Sequence, residues 1–559
     1  MFKLLLIFTF AILLLALNYK GNLKNYFAAW YLQVPFPKYA TQVLENVPIK
    51  LSDHILLSCD IYKPRANGPF PTILARTPYG KQNKEHYYST IGNLFAGQGF
   101  AFVIQNVRGK DPSLGEFYPH KNDAQDGADT IDWIATQTWC NGNIALFGFS
   151  YLGTTSWQAL SQTKHPIQTL APWFSGSNPY FLWYNDGVVN LKQLAFWLCK
   201  YGINQEKEIA HELVDHALSK DTNWDDLDQK ISNQVIPAYK DFYTHTTYNE
   251  FWKKLSSSPL DAPDVPVLLA SGWYDRFLKA TIADFHALKQ ASPYSKKYQS
   301  CLILGPWTHN PTQKIKGLND SKNGDFFKQF SILIEWYKKW MGLESNLNVS
   351  PVSYYIMGLN IWKQADHWPP NDVQKKALFL TKQGTLSTFS SSGKVPLIFN
   401  PNQFIPTFGG RMLYGNGIEG PQDQSYLRLR KDVLFFKTEP FKEAITIVGP
   451  PKLSLIFGKI PATFDLSCKM VASSPSGEKK LITDSYQRFE DIDSSLPTPI
   501  IFNDTAYHLP KDYALELIIT HSDFPSYEPN KELLLEEKAE IEIITGTEKG
   551  SKLELLHLP

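Results

Sequence analysis

From residue 43 the chain reads as short apolar runs bounded by Pro, Gly or Asn. Residues 55–61, 71–75 and 100–105 have the length and flanks of buried strands. A helical stretch follows over 125–137, with Ile131 and Ile134 on one face. Next come a strand-like run at 144–147, a glycine-flanked turn at 148–153 and a helix-compatible run at 154–162. Strand alternating with helix predicts an α/β domain, a largely parallel sheet with helices on both faces. The alternation lapses over 178–259, which is rich in Trp, Tyr, Lys and Asp and reads as mostly helical, for example at 205–219. This segment is expected to be a cap inserted into the sheet domain. Strands resume at 265–270 and 301–304, and a closing helix is expected at 326–341, with Phe330, Leu333, Trp336 and Tyr337 at helical spacing.

Beyond residue 346 helical periodicity nearly vanishes. Short strands recur at 353–357, 376–380, 445–448, 452–457, 464–471 and 513–519, separated by Pro and Gly. Such texture predicts a β-sandwich or jelly roll. The expected organisation is a sheet domain over 42–345, its cap at 178–259, and a β-sandwich over 346–559. The aromatic-rich stretch 21–40 receives no assignment.

At the N-terminus, Lys3 precedes an apolar run over residues 4–17 broken only by Thr9. That run is short for a spanning helix, which needs about 20 residues. Residues 1–20 therefore read either as a secretory signal peptide or as an uncleaved membrane anchor. Both place the protein outside the cytoplasm, exported or held at a membrane.

The 55 basic and 54 acidic side chains are interspersed, without long runs of one sign. Nucleic acid is excluded as a partner, since phosphate binding needs concentrated Lys and Arg. The five cysteines, Cys59, Cys140, Cys199, Cys301 and Cys468, form no C-x-x-C pair and read as buried free thiols. No His/Cys/Asp cluster has ligand spacing, so no metal or other cofactor is expected.

The chemistry concentrates at the turns after three strands. Gly148-Phe149-Ser150-Tyr151-Leu152-Gly153 follows an apolar strand and precedes a helix, the context of a nucleophile elbow. Its second glycine comes one position late, because the five-residue G-x-S-x-G pattern would put Gly where Leu152 stands. A serine hydroxyl needs a base to take its proton, and α/β-hydrolases order their triad Ser, Asp, His. The run 265–270 leads to Asp275, and 301–304 leads to His309; both sit at strand C-terminal ends, where open α/β sheets place their sites. Ser150, Asp275 and His309 are the expected triad. The backbone N–H of Tyr151 is one expected oxyanion donor. Tyr79, in Arg76-Thr77-Pro78-Tyr79-Gly80-Lys81, reads by itself as a turn tyrosine.

These segments resemble the cocaine esterase and X-Pro dipeptidyl-peptidase (CocE/NonD) family of serine hydrolases. The likeness rests on Arg76 to Lys81, Asn106-Val107-Arg108-Gly109, Gly115-Glu116-Phe117, Asp126-Gly127, Trp139-Cys140-Asn141-Gly142, Gly148 to Gly153, Gly272 to Asp275 and Gly305 to His309. In the last region it rests on Gly449-Pro450, Thr463-Phe464-Asp465 and Ser522-Asp523-Phe524-Pro525. The resemblance covers about residue 42 to the C-terminus and accounts for the late glycine, since the family writes its elbow G-x-S-Y-x-G. It implies an α/β-hydrolase domain packed on a jelly roll, and Ser150 as nucleophile, His309 as base and Asp275 as orienting acid. It reassigns the Tyr79 hydroxyl as second oxyanion donor beside the Tyr151 N–H.

Two departures stand out. Asn106 occupies a position where the family often has Asp. Phe277 and Leu278 stand where related α-amino-acid ester hydrolases carry an acidic pair for a substrate ammonium, which favours a neutral or aromatic acyl group. The resemblance also suggests Trp183, with Phe277, as a substrate-pocket residue. The expected activity is hydrolysis of a small ester, amide or peptide through an acyl-enzyme. The alternatives are an X-Pro dipeptidyl-peptidase, anchoring a free N-terminus on Asp186, Glu206 or Glu208, and a non-catalytic surface binding protein.

Overall fold

A computed structural model describes residues 23–83, 86–205, 207–220, 223–319, 321–389, 391–546 and 550–559. The apolar run 4–17 and Glu206 lie outside them. Ten strands build the catalytic sheet: β1 Thr41–Lys50, β2 Leu56–Pro64, β3 Phe70–Thr77, β4 Ala101–Asn106, β5 Cys140–Phe149, β6 Ile167–Trp173, β7 Leu268–Tyr274, β8 Cys301–Thr308, β9 Val352–Ile356 and β10 Ile361–Ala365. They pair as β1-β2-β4-β3-β5-β6 and β7-β8-β9-β10, and a parallel bridge between Leu170 and Val267 joins β6 to the start of β7. The strands from β4 to β9 across the middle run parallel; β1, β2 and β10 run antiparallel at the edges.

Period-two alternation divides the sheet's side chains between two cores. Leu74, Val103, Ile144 and Leu146 point to one face, where Ile131, Ile134, Trp157, Leu160, Ile282 and Phe285 cover them. Ile73, Phe102, Ala145 and Phe147 point to the other, under Phe95, Leu333 and Tyr337. The covering helices are Asp123–Ala135, Tyr151–Gln162 and Leu278–Lys289 on the first face, and Tyr88–Gly97 and Lys328–Trp340 on the second. Helix Leu23–Tyr31, from the stretch left unassigned by pattern, packs against Tyr88–Gly97. Among the described residues no helix is long and apolar enough to cross a membrane.

The cap is mostly helical. It opens with a short helix, Tyr180–Trp183, and a small hairpin, Tyr184–Asn185 against Val188–Val189, and then holds Leu191–Tyr201, His211–Lys220, Leu227–Ser232, Pro237–Thr244 and Glu250–Leu255. Leu191–Tyr201 is apolar nearly all round and almost wholly buried.

Strand β9 pairs in parallel with β8, and β10 folds back on β9. The sheet therefore continues past residue 346, where the sequence texture changes. That change marks the end of helical crossovers rather than the end of the sheet. From Gln374 onward two antiparallel sheets face each other. Thr463–Ser473 and Lys479–Glu490 form the longest hairpin of one, and Lys452–Phe457, Ala539–Thr545 and Lys552–His557 lie in the other. The molecule is thus an α/β-hydrolase domain with a helical cap, followed by a β-sandwich. All five cysteines are buried and free.

Candidate active site

Ser150 ends the β5 turn with φ 60° and ψ −127°, outside the regions an L-residue favours. Its N–H donates to the Trp173 carbonyl of β6 at 2.9 Å, and helix Tyr151–Gln162 begins at the next residue. The glycines make this turn possible. A Cβ at Gly148 would lie 2.0 Å from the Leu152 carbonyl carbon, and one at Gly153 would lie 2.2 Å from Ser175 Oγ. Position 152 carries a buried leucine. The late glycine is therefore required where Ser175 comes close.

Three strand ends converge. His309, just past β8, places Nε2 2.9 Å from Ser150 Oγ. Its Nδ1 lies 2.7 Å from Asp275 Oδ1, and Asp275, just past β7, is fully buried. The other Asp275 oxygen accepts from Ser271 Oγ at 2.6 Å, a brace the sequence reading did not include. With one oxygen held by Ser271 and the other facing Nδ1, the carboxylate fixes the imidazole with Nδ1 protonated and Nε2 free to take a proton.

Tyr79 is buried in a ring cluster with His86, Tyr201, Trp197 and Tyr151. Trp197, from cap helix Leu191–Tyr201, donates its indole N–H to the Tyr79 oxygen at 3.2 Å. An oxygen that accepts such a bond is a better donor through its own O–H. Sequence reading missed Trp197, because an aromatic residue in an apolar helix carries no mark beyond core packing.

Tyr151 contributes differently through its two ends. Its N–H is a first-turn amide, which the helix leaves without an internal acceptor. Its ring stacks on Trp197 and His120, and its hydroxyl donates to Asp123 Oδ2 at 2.7 Å while accepting from the His120 N–H. Burial and the adjacent Asp123 carboxylate push the Tyr151 phenol far above its ordinary range, and burial lowers His120 to about 3, so both stay neutral. Arg76 supports this floor by donating to the Asp123 carbonyl and to Gln105. Asn106 also has a role an aspartate could not fill. Its Oδ1 accepts from Lys81 N–H at 2.6 Å while its Nδ2 donates to the Asp111 carbonyl.

Phe277 sets its ring edge-on to the His309 imidazole, centroids 4.8 Å apart. Trp183 is buried one layer back, against Trp197 and Phe242. It touches the Tyr79 supporter rather than the triad. Asp186 is paired with Lys279 at 2.6 Å, and Glu208 is exposed.

A cleft of about 450 Å³ opens at His309. Part of its wall comes from a source that pattern reading left out: Leu413, Tyr414 and Glu419 of the β-sandwich region, between strands Gly393–Phe399 and Leu434–Lys437, with cap residue His211. Tyr414 stacks on Phe196 of the cap at 4.4 Å. Glu419 is nine-tenths buried and accepts the Gly415 and Gly417 N–H groups at 2.7 and 2.9 Å. Among the described residues, no group of three His, Cys, Asp or Glu could hold a metal.

Comparison with known proteins agrees with this arrangement. Residues 53–311 match the family model of the X-Pro dipeptidyl-peptidase (S15 family). Residues 348–553 match that of the X-Pro dipeptidyl-peptidase C-terminal non-catalytic domain. The chain is 26% identical to a cocaine esterase from Rhodococcus sp. (strain MB1 Bresler) over 537 residues, 87% of this chain and 92% of that one. Its fold is shared with an aminopeptidase from a marine sediment Thaumarchaeota archaeon, TM-score 0.79 at 19% identity, covering 93% and 97% of the two chains. It is also shared with an α-amino acid ester hydrolase, TM-score 0.79 at 20% identity, with the same coverage. The protein is an enzyme that cleaves ester or peptide bonds, and the chain belongs to the cocaine esterase and X-Pro dipeptidyl-peptidase-like (CocE/NonD) family of serine hydrolases.

Proposed function

We propose that the protein is a carboxylic ester hydrolase that works through an acyl-enzyme on Ser150. The observation that carries this is the continuous hydrogen-bonded line from Ser150 through His309 to Asp275. His309 Nε2 takes the Ser150 proton as Oγ attacks the ester carbonyl. The imidazolium is stabilised by Asp275 and returns the proton to the leaving alkoxide. Water then repeats the cycle on the acyl-serine. The Tyr151 N–H and the Tyr79 O–H donate to the oxyanion.

The aromatic edge of Phe277 beside His309 supports a neutral or aromatic acyl group. An X-Pro dipeptidyl-peptidase reading has one specific support, the Glu419 carboxylate in the cleft wall, which no lysine or arginine pairs with among the described residues. Assaying the purified enzyme on p-nitrophenyl esters and X-Pro-p-nitroanilides side by side separates the two. Ester turnover with little anilide turnover supports the first reading; the reverse ratio supports the second. Loss of neither activity in Ser150→Ala would remove Ser150 from the mechanism.

We infer further that the chain is exported, or held at a membrane by residues 4–17. The positive start and apolar run support this, as does the exposure of Phe27, Trp30 and Tyr31 on the helix that follows, since aromatic side chains favour membrane interfaces. Sequencing the mature N-terminus after cell fractionation tests it. A full-length chain recovered soluble from cytoplasm would overturn both versions.

A further inference from the structure

The catalytic sheet, the cap and the β-sandwich meet around a small void, open to solvent on the side of Phe181, Asp186 and Lys279. Arg276 lines it from the turn after β7 and Lys279 from helix Leu278–Lys289, Asp186 from the cap hairpin and Asn190 from just after it, and Arg411 and Asn503 from the sandwich side. Its charge does not balance. Arg411 donates to Asp484 at 2.8 Å, and Lys279 pairs with Asp186. The other nearby carboxylates are engaged too: Asp275 by His309, Asp523 by Lys469, Asp465 by Arg488, and Asp504 by the Trp368 indole.

Arg276 is left over. It is more than nine-tenths buried and, among the described residues, meets no carboxylate. Its partners are neutral, the Tyr527 and Ser526 hydroxyls and the face of the Tyr527 ring. Its Nε–H has no acceptor, and neither does that of Arg411 across the same void. A buried guanidinium without a counter-charge is costly, and two orphan donors at one void call for an acceptor.

We propose that this void binds a single monatomic anion of the chloride class. The void has room for about one water-sized particle. That excludes phosphate, sulfate and carboxylate ligands by size. The anion supplies the charge Arg276 lacks and holds together three parts of the molecule that no covalent link brings to this point. A water molecule is the competing occupant, since it would also serve the Asn190 Oδ1, a buried acceptor without a donor.

Bromide is the probe, with gluconate at equal ionic strength as the control too large to enter. Thermal and urea unfolding of the full chain are followed against each salt in halide-free buffer. Bromide should stabilise saturably, raising the folded-to-unfolded ratio about 100-fold at a hundred times its dissociation constant, and gluconate should not. Crystals soaked in bromide should show an anomalous peak between Arg276 and Arg411. Arg276→Met should abolish both effects; should that variant not fold, the two measurements on the unaltered protein decide. An equal response to both salts, a peak without bromide-specific stabilisation, or no peak would each overturn the proposal and leave water in the void.

Discussion

Ser150 is held at a backbone angle that costs of the order of 1–3 kcal/mol, and its hydroxyl is the group the surrounding strands position. Replacing it with alanine leaves the turn and its packing, so Ser150→Ala is expected to fold normally while kcat falls roughly 10⁶-fold. Steady-state kinetics and a melting curve check both halves. At Tyr79 the expected loss on Tyr79→Phe is about 10²–10³ in kcat with a much smaller change in KM. The Trp197 indole bond adds a stability effect to this change. The phenylalanine leaves a buried N–H without its acceptor, so a stability cost of about 1–3 kcal/mol accompanies the rate loss. Trp197→Phe breaks the same bond but keeps the hydroxyl. It should therefore lose far less rate than Tyr79→Phe, and equal losses would remove the hydroxyl from catalysis.

At the scale of elements, the strand-turn-helix units were legible because each carries its own local signal. An apolar run, a glycine and a polar residue mark Ser150, Asp275 and His309 without reference to the rest of the chain. The braces were not legible, because they depend on contacts far apart in sequence. Ser271 resembles any strand serine until its bond to Asp275 is seen. Helix Leu278–Lys289 offers another case. Its Asp284 accepts both the N–H and the hydroxyl of Ser177, at the point where the chain leaves β6 for the cap. Burial raises the Asp284 carboxyl from its ordinary 3.8 to about 7. Between those values the folded protein holds a proton the unfolded chain has lost. This group's contribution is therefore complete below about pH 4 and declines as pH rises towards 7, by at most about 1.4 kcal/mol per pH unit. Asp284→Asn, fixed in a neutral form, should flatten the fall in unfolding free energy between pH 4 and 7. Urea titrations across that range test it, and an unchanged slope would assign the effect elsewhere.

Over the whole molecule, the proposed triad comes from the α/β domain but the cleft comes from it only in part. Leu413, Tyr414 and Glu419 wall it from the side of the β-sandwich, and the cap adds His211. Pattern reading drew no site residue from the later region, since no cluster of reactive residues marks it and a pocket wall is set by tertiary arrangement alone. The ends of the sheet were hidden for a related reason. Strand β9 follows the last helical crossover, Lys328–Trp340, and β10 folds back on it without one, so their texture matches the sandwich although their hydrogen bonds belong to the sheet. If Glu419 anchors a substrate ammonium, Glu419→Gln should cut X-Pro-anilide turnover at least tenfold while hydrolysis of neutral esters stays within about twofold. A difference of that size corresponds to about 1.4 kcal/mol, and parallel losses on both substrates would instead mark Glu419 as a brace for the Gly415 and Gly417 turn.

The division of labour between early and late segments has a consequence for biosynthesis. Translation proceeds at about 5–20 residues per second, and domains fold as they emerge. His309, the last of the proposed triad, leaves the ribosome before β9 and well before Leu413, Tyr414 and Glu419 of the cleft wall. The nascent chain therefore holds all three proposed triad residues, with Phe277 and the cap, while the sandwich side of the cleft is still unsynthesised, and that wall is the last part of the site to be added.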